Sequence, residues 1–186
     1  YGNPERIPIK ESDAKNPFNP YAETKLKDEE LAKKYASLGA EIIGLRYFNV
    51  FGKRQSKEYA GVIKLFLDQI KKKESPIVNG DGTQFRDFVH VSDVVNANIL
   101  SMNSKTKHAF YNVGTNSSIT ILDLAKSIIK SSDLNLEPKF RDALEGDVNK
   151  TLADITLIQK EIQWKPTIRL EDWLKKIITS DEIDEI

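Results

Sequence analysis

Tyr21 and Lys25 stand four residues apart in the segment Asn19-Pro20-Tyr21-Ala22-Glu23-Thr24-Lys25. On a helix, residues at that spacing share one face, so an ammonium can stand beside a phenol. A free tyrosine, with a pKa of about 10, is a poor base at neutral pH. A neighbouring cation favours the phenolate. A phenolate placed this way can take a proton from a substrate hydroxyl while a hydride leaves the same carbon. An ordinary amphipathic helix with one Tyr and one Lys shows the same pattern, so the pair gains meaning only from what accompanies it.

Composition narrows the company it can keep. The 186 residues include 28 basic and 28 acidic ones, a formal net charge of zero. That balance argues against nucleic-acid or membrane-surface partners. There is no cysteine, which excludes disulfides, thiolate catalysis and cysteine zinc sites. Only His90 and His108 could offer imidazole, too few for a multi-histidine metal site. No apolar run approaches the about 18 residues of a membrane span, and no signal-peptide pattern is present. A cytoplasmic location is the expectation.

The elements that must position the pair follow from pattern and punctuation. Residues 3–18 read as a loop. A helix is expected from Pro20 to Leu38, with Asn19 as N-cap, Pro20 in the first turn and Gly39 as the stop. Glu41 to Val50 is almost continuously apolar and reads as one strand buried on both faces. A second helix is expected from Gly61 to Lys72, then a short strand at Ile77-Val78 before the turn Asn79-Gly80-Asp81-Gly82. A third helix should start at Ser92 or Asp93, either of which can cap it. Phe110 to Val113 reads as a strand, and Thr120 to Lys130 as a helix opened by Thr120 and Asp123. Two more helices are expected at Ile155–Ile162 and Leu170–Ile178, and residues 181–186 form an acidic, frayed tail.

Three further segments accompany Tyr21 and Lys25. They are Leu45-Arg46-Tyr47-Phe48-Asn49-Val50-Phe51-Gly52, the run from Gly80 to Val94 that contains Arg86-Asp87-Phe88-Val89-His90-Val91, and Gly146-Asp147-Val148 continuing to Asp154. In this order and spacing they resemble the C-terminal portion of an extended short-chain dehydrogenase/reductase. The subgroup they most resemble is the sugar-nucleotide epimerases of the UDP-glucose 4-epimerase kind. The resemblance runs from Tyr1 to about Ile178.

It implies an α/β fold: the last part of a doubly wound Rossmann-type parallel sheet, interleaved with a small α/β substrate domain. Residues 1–50 and 84–115 would belong to the first, 51–83 and 116–180 to the second. It also implies NAD as cofactor, a sugar nucleotide (a UDP-sugar first) as substrate, and a homodimer. Tyr21 would be the general base and acid, and Lys25 would hold the nicotinamide ribose and lower the phenol's pKa. Phe48 and Val50 would lie near the nicotinamide. Asn49 would contact the sugar nucleotide, Arg86 would grip its diphosphate, Ile77 and Asn79 would face its base, and Asp147 would accept from a ribose. A guanidinium offers a planar fork of donors suited to phosphate oxygens; the competing role for Arg86 is an ion pair with Asp87 or Asp93. His90 reads as a structural histidine and Asp93 as a helix cap. No metal is implied.

One departure stands out. UDP-sugar binders of this kind often carry an arginine just before the Gly-Asp of the third segment, where this chain has Ala143-Leu144-Glu145. Leucine offers a phosphate no charge; Arg141 and Lys150 are the nearby cations. The sequence also contains no glycine-rich dinucleotide turn and no Ser/Thr partner before Tyr1, so the chain alone is expected not to turn substrate over. A 4,6-dehydratase or reductase of the same family, and a non-catalytic sugar-nucleotide-binding module, are the alternatives.

Overall fold

The computed structural model describes residues 1–55, 61–144, 146 and 148–180. The acidic tail at 181–186 and Asp147 lie outside the described residues.

Helix α1 (Pro20–Ser37) begins as its sequence directs. The Asn19 carboxamide oxygen accepts from the Ala22 amide at 2.8 Å, and Pro20 occupies the first helical position. Gly39, at φ +98°, supplies the left-handed residue that ends it. No residue of α1 is buried.

The run from Glu41 to Val50 is not one strand. It breaks at Phe48 into β1 (Ile42–Tyr47) and β2 (Asn49–Phe51). β1 pairs in parallel with β5 (His108–Val113), Ile42 opposite His108 and Tyr47 opposite Val113. β2 pairs in parallel with β4 (Phe85–His90). The Phe48 amide still donates to the Val113 carbonyl at 3.0 Å, so the chain changes neighbours within one residue. Nor is β1 buried on both faces: Ile42 to Arg46 are half-buried and Tyr47 is exposed. Its ladder has one partner strand among the described residues.

Helix α2 (Val62–Lys71) leads to β3 (Ile77–Asn79), and α3 (Val91–Met102) follows β4 without a loop. The expected caps of α3 are corrected here. His90 is the N-cap, its Nδ1 accepting from the Ser92 amide at 3.2 Å, while Asp93 sits inside the first turn. Asp93 instead takes the amides of Thr167 and Ile168, each at 3.1 Å, and the Thr167 hydroxyl at 2.6 Å. β6 (Ser118–Thr120) runs antiparallel to β4, then come α4 (Ile121–Ser131) and β7 (Lys139–Arg141), which is parallel to β3. Thr120 caps α4 through a 3.0 Å bond from the Asp123 amide. Helices α5 (Thr156–Ile162) and α6 (Leu170–Thr179) complete the chain. The architecture is mixed α/β with parallel strand pairs.

Two apolar cores form. One gathers Phe66 and Leu67 of α2, Val78 of β3, Leu124 and Ile128 of α4, and Leu174 and Ile177 of α6. The other gathers Val94 and Ala97 of α3, Tyr111 and Val113 of β5, Ile158 of α5, and Trp164. Residues 153–164, assigned from sequence to the substrate part, pack in this second core. Trp164 is fully buried and its indole N–H donates to the Asp93 carbonyl at 2.9 Å, which joins the segment to α3.

Candidate active site

A cleft of about 770 Å³ opens between α1, the end of β1 and the loop that carries Val148 and Thr151. Tyr21, Lys25, Phe48 and Asn49 all line it. The i, i+4 spacing on α1 holds: Lys25 Nζ lies 5.8 Å from the centre of the Tyr21 ring. The phenol is 72% exposed and so accessible to a ligand. Lys25 is tied to Asp28, one turn on, by a 2.8 Å ion pair. That hydrogen bond and the carboxylate charge raise the lysine's pKa, so its proton stays in place at neutral pH.

Asn49 is held by its own amide, which donates to the Asp87 carbonyl at 3.1 Å and to the Thr151 hydroxyl at 3.2 Å. Beneath it Asp87 is fully buried. Its carboxylate accepts from Thr115 N (2.8 Å), Thr115 Oγ1 (2.6 Å), Asn116 N (3.1 Å) and Ala153 N (3.0 Å). Burial pushes this carboxyl's pKa up while the four donors pull it down. The arrangement ties β4, the turn after β5 and the 151–153 segment into one floor.

Arg86 does not line this cleft. It is 8% exposed, its Nη1 donates to the Phe85 carbonyl at 2.9 Å, and it lines a second cavity of about 290 Å³ with Thr115, Ser118, Thr167 and Arg169. The carboxylates of Asp87 and Asp93 are engaged by the amide and hydroxyl donors already described. Ile77 and Asn79 line neither cavity. Asn79 Oδ1 accepts instead from Arg141 Nε across the β3–β7 ladder. Val50 packs against the core of β5, α3 and α5 and lines neither cavity. Lys150 forms a backbone bridge with Phe85, and Tyr47 donates its hydroxyl to Asn98 at 3.0 Å.

Sequence reasoning passed over three residues that shape the cleft. Asp28 binds Lys25. Glu29 and Arg46 form a paired-donor ion pair, Nε–Oε1 at 2.6 Å and Nη2–Oε2 at 2.8 Å. The available signal was spacing: Tyr21, Lys25 and Glu29 recur at four-residue intervals along one face. No group of three or more metal-ligating side chains occurs among the described residues, and no described helix is long and apolar enough to cross a membrane.

The profile of the NAD dependent epimerase/dehydratase family matches residues 1–114, which include Tyr21, Lys25, Asn49 and Arg86. This chain belongs to that family. A relative in Methanocaldococcus jannaschii, named "Putative UDP-glucose 4-epimerase", is 38% identical over 180 residues, covering 96% of this chain and 58% of the relative. A UDP-N-acetylglucosamine 4-epimerase from Methanobrevibacter ruminantium M1, solved with UDP-N-acetylmuramic acid, is 37% identical with a TM-score of 0.89. That match covers 96% of this chain and 58% of the other. A UDP-glucose 4-epimerase from Thermotoga maritima, solved with UDP-glucose, is 31% identical with a TM-score of 0.92, covering 99% of this chain and 59% of the other. This epimerase/dehydratase family member thus spans about 58% of the length of the relatives it matches.

Proposed function

We propose that this chain supplies the proton-transfer and sugar-nucleotide face of a UDP-sugar 4-epimerase. The observation that carries the reading is the placement of Tyr21, Lys25, Phe48 and Asn49 around one cleft. Its volume lies within the roughly 300–1,000 Å³ range of ligand sites. Tyr21, as the phenolate, takes the proton of the sugar C4 hydroxyl as hydride leaves C4, and as the resulting phenol returns it when hydride comes back to the opposite face. Lys25 keeps a positive charge beside that phenol throughout.

The residues present fit the nicotinamide end of NAD. Lys25, with a half-exposed side chain, offers donors to ribose hydroxyls, and Phe48 offers an apolar wall in the same cleft. When bound, NAD accepts the hydride and gives it back, so no net oxidation results. Arg86 grips the diphosphate in this reading; its buried guanidinium beside the hydroxyl-lined cavity supports that role. Ile77 and Asn79, outside both cavities, are assigned to the base by the family resemblance alone, as Asp147 is to a ribose hydroxyl, and Val50 backs the nicotinamide wall from within the core.

The two cores support a two-lobed division, with residues 153–164 joined to the lobe of β1 and β5. The apolar residues Leu31 and Tyr35 of α1 and Leu38 at its C-cap are exposed and support self-association as a dimer. The cysteine-free sequence accords with a cytoplasmic location. Because the chain contains no glycine-rich phosphate turn, the 186 residues alone are expected to be inactive. A 4,6-dehydratase or reductase activity is the second reading, favoured by the family's own breadth.

The test is a chimera. The part of the Methanocaldococcus jannaschii relative that this chain does not match is joined to residues 1–186. The chimera is assayed for interconversion of UDP-glucose and UDP-galactose with NAD. Epimerisation supports the proposal; water loss from the sugar would favour the dehydratase reading.

A further inference from the structure

Helix α1 carries Tyr21 and Lys25, yet it buries none of its residues. Its shielded face is only half-buried and is built from Ala22, Leu26, Ala32 and Ala36, mostly small residues, so apolar packing alone holds it weakly. The specific link is polar. Arg46, next to last in β1, meets Glu29 of α1 through two parallel hydrogen bonds at 2.6 and 2.8 Å. Both side chains are well shielded, at 14% and 17% exposure, unlike the exposed pairs at Lys25–Asp28 and Arg169–Glu171. A two-point guanidinium–carboxylate contact fixes orientation as well as distance.

The same guanidinium holds two more segments. Arg46 Nη1 donates to the Glu11 carbonyl at 3.1 Å and to the Tyr1 hydroxyl. The Tyr1 hydroxyl in turn donates a hydrogen bond to Asn112 Oδ1 of β5 at 2.6 Å, and Asn112 Nδ2 donates to the Ile9 carbonyl at 2.9 Å. The Arg46 plane also lies 5.5 Å from the centre of the Phe110 ring. That ring crosses β1 where residue 44 is glycine; a Cβ there would collide with it. The loop of residues 1–18, helix α1 and strands β1 and β5 all meet at one side chain.

We infer that Arg46, through Glu29, is a positioning residue that sets where Tyr21 and Lys25 stand in the cleft. Glu29 lies one turn beyond Lys25 and two beyond Tyr21, on their face of the helix. Fixing Glu29 to β1 fixes the height and rotation of that face. The inference rests on the reading of Tyr21 and Lys25 as the reacting pair. The clamp itself is tested without turnover.

The test uses the 186-residue chain and its R46K and E29Q variants. R46K keeps the charge and loses the fork; E29Q keeps the shape and loses the charge. Amide hydrogen exchange is followed by segment, and 3-fluorotyrosine labelling reports the Tyr21 ring, its signal assigned by loss in Y21F. Both variants should speed exchange in the α1 amides from Leu26 to Lys34 by about tenfold, with β5 and α4 unchanged. The Tyr21 fluorine signal should shift while that of Tyr111 stays. Unchanged α1 exchange and an unchanged Tyr21 signal would overturn the inference. So would a rise spread evenly over β5 and α4, which would mark a purely global role. UDP-glucose binding is measured in parallel. Failure of the unmutated chain to bind UDP-glucose, with the α1 response seen in the variants, sinks the functional reading and leaves the clamp; binding by the unmutated chain with no α1 response in the variants does the reverse.

Discussion

Arg86 and Tyr21 ask different things of their surroundings. Tyr21 must reach a ligand and is exposed; Arg86 is drawn in beside Thr115, Ser118 and Thr167. A buried guanidinium that meets a diphosphate gains charge-assisted hydrogen bonds, worth about 1.5–3 kcal/mol each. R86A should therefore weaken UDP-glucose binding by roughly 10- to 150-fold in calorimetric titration. Y21F should leave affinity within about threefold, because in the proposed function the phenol acts on a proton and not as an anchor. Equal loss in both variants would contradict that split. At this scale much was legible. The Tyr-Lys spacing needed only the helical period. Asp28 and Glu29 were legible in principle by the same count. The Arg46–Glu29 pair was not, because its members lie 17 residues apart and nothing local marks one arginine among several. Burial of Asp87 and Asp93 was equally hidden, since their stabilising donors come from segments far along the chain.

Helix α3 shows what the element scale adds. Its cap is a histidine whose ring nitrogen must be free of a proton to accept from Ser92. Burial lowers the His90 pKa below its ordinary value of 6.5, with Asp93 opposing. The folded state therefore binds this proton less readily than the unfolded chain. The cap's contribution is present above the unfolded pKa and is lost as pH falls through and below it. Chemical denaturation at pH 7.5 and at pH 5 should show wild type losing about 1 kcal/mol more than H90N, whose carboxamide caps at either pH. An identical pH response would refute the cap's role. Ser92 and Asp93 are better caps by type, so sequence favoured them; the direct run of β4 into α3 moved the cap two residues earlier. The break at Phe48 was hidden for a similar reason. A continuous apolar run shows no mark where a strand exchanges one neighbour for another. β4 itself was obscured by Arg86 and Asp87 at its centre, whose partners lie elsewhere in the chain.

Across the whole molecule, two buried or half-buried phenols tie distant segments together. Tyr111 donates to Glu161 of α5 at 2.5 Å, and Tyr1 to Asn112. Burial, joined by the Glu161 acceptor for Tyr111, pushes each phenol up to about 12. Folded chains hold these protons more tightly than unfolded ones. Their contribution is complete below the unfolded value of about 10 and is lost as pH rises toward about 12. Absorbance at alkaline pH should show these two phenols ionising late, with the transition coinciding with unfolding; Y111F should remove one of them. Ionisation of all tyrosines together near pH 10, with the fold intact, would contradict this. Leu31 and Tyr35 of α1, with Leu38 at its C-cap, form an exposed apolar line. Sedimentation should show concentration-dependent dimers, and L31E should shift the chain toward monomer without altering its circular dichroism. A monomer at all concentrations would rule out that surface as a self-contact.

In the proposed reaction Tyr21 moves the proton of a sugar hydroxyl, and turnover by the chimera is the decisive check. UDP-galactose formation from UDP-glucose should be present in the chimera. In Y21F its kcat should fall by about 10²- to 10⁴-fold with KM little changed. Full activity in Y21F would contradict the account.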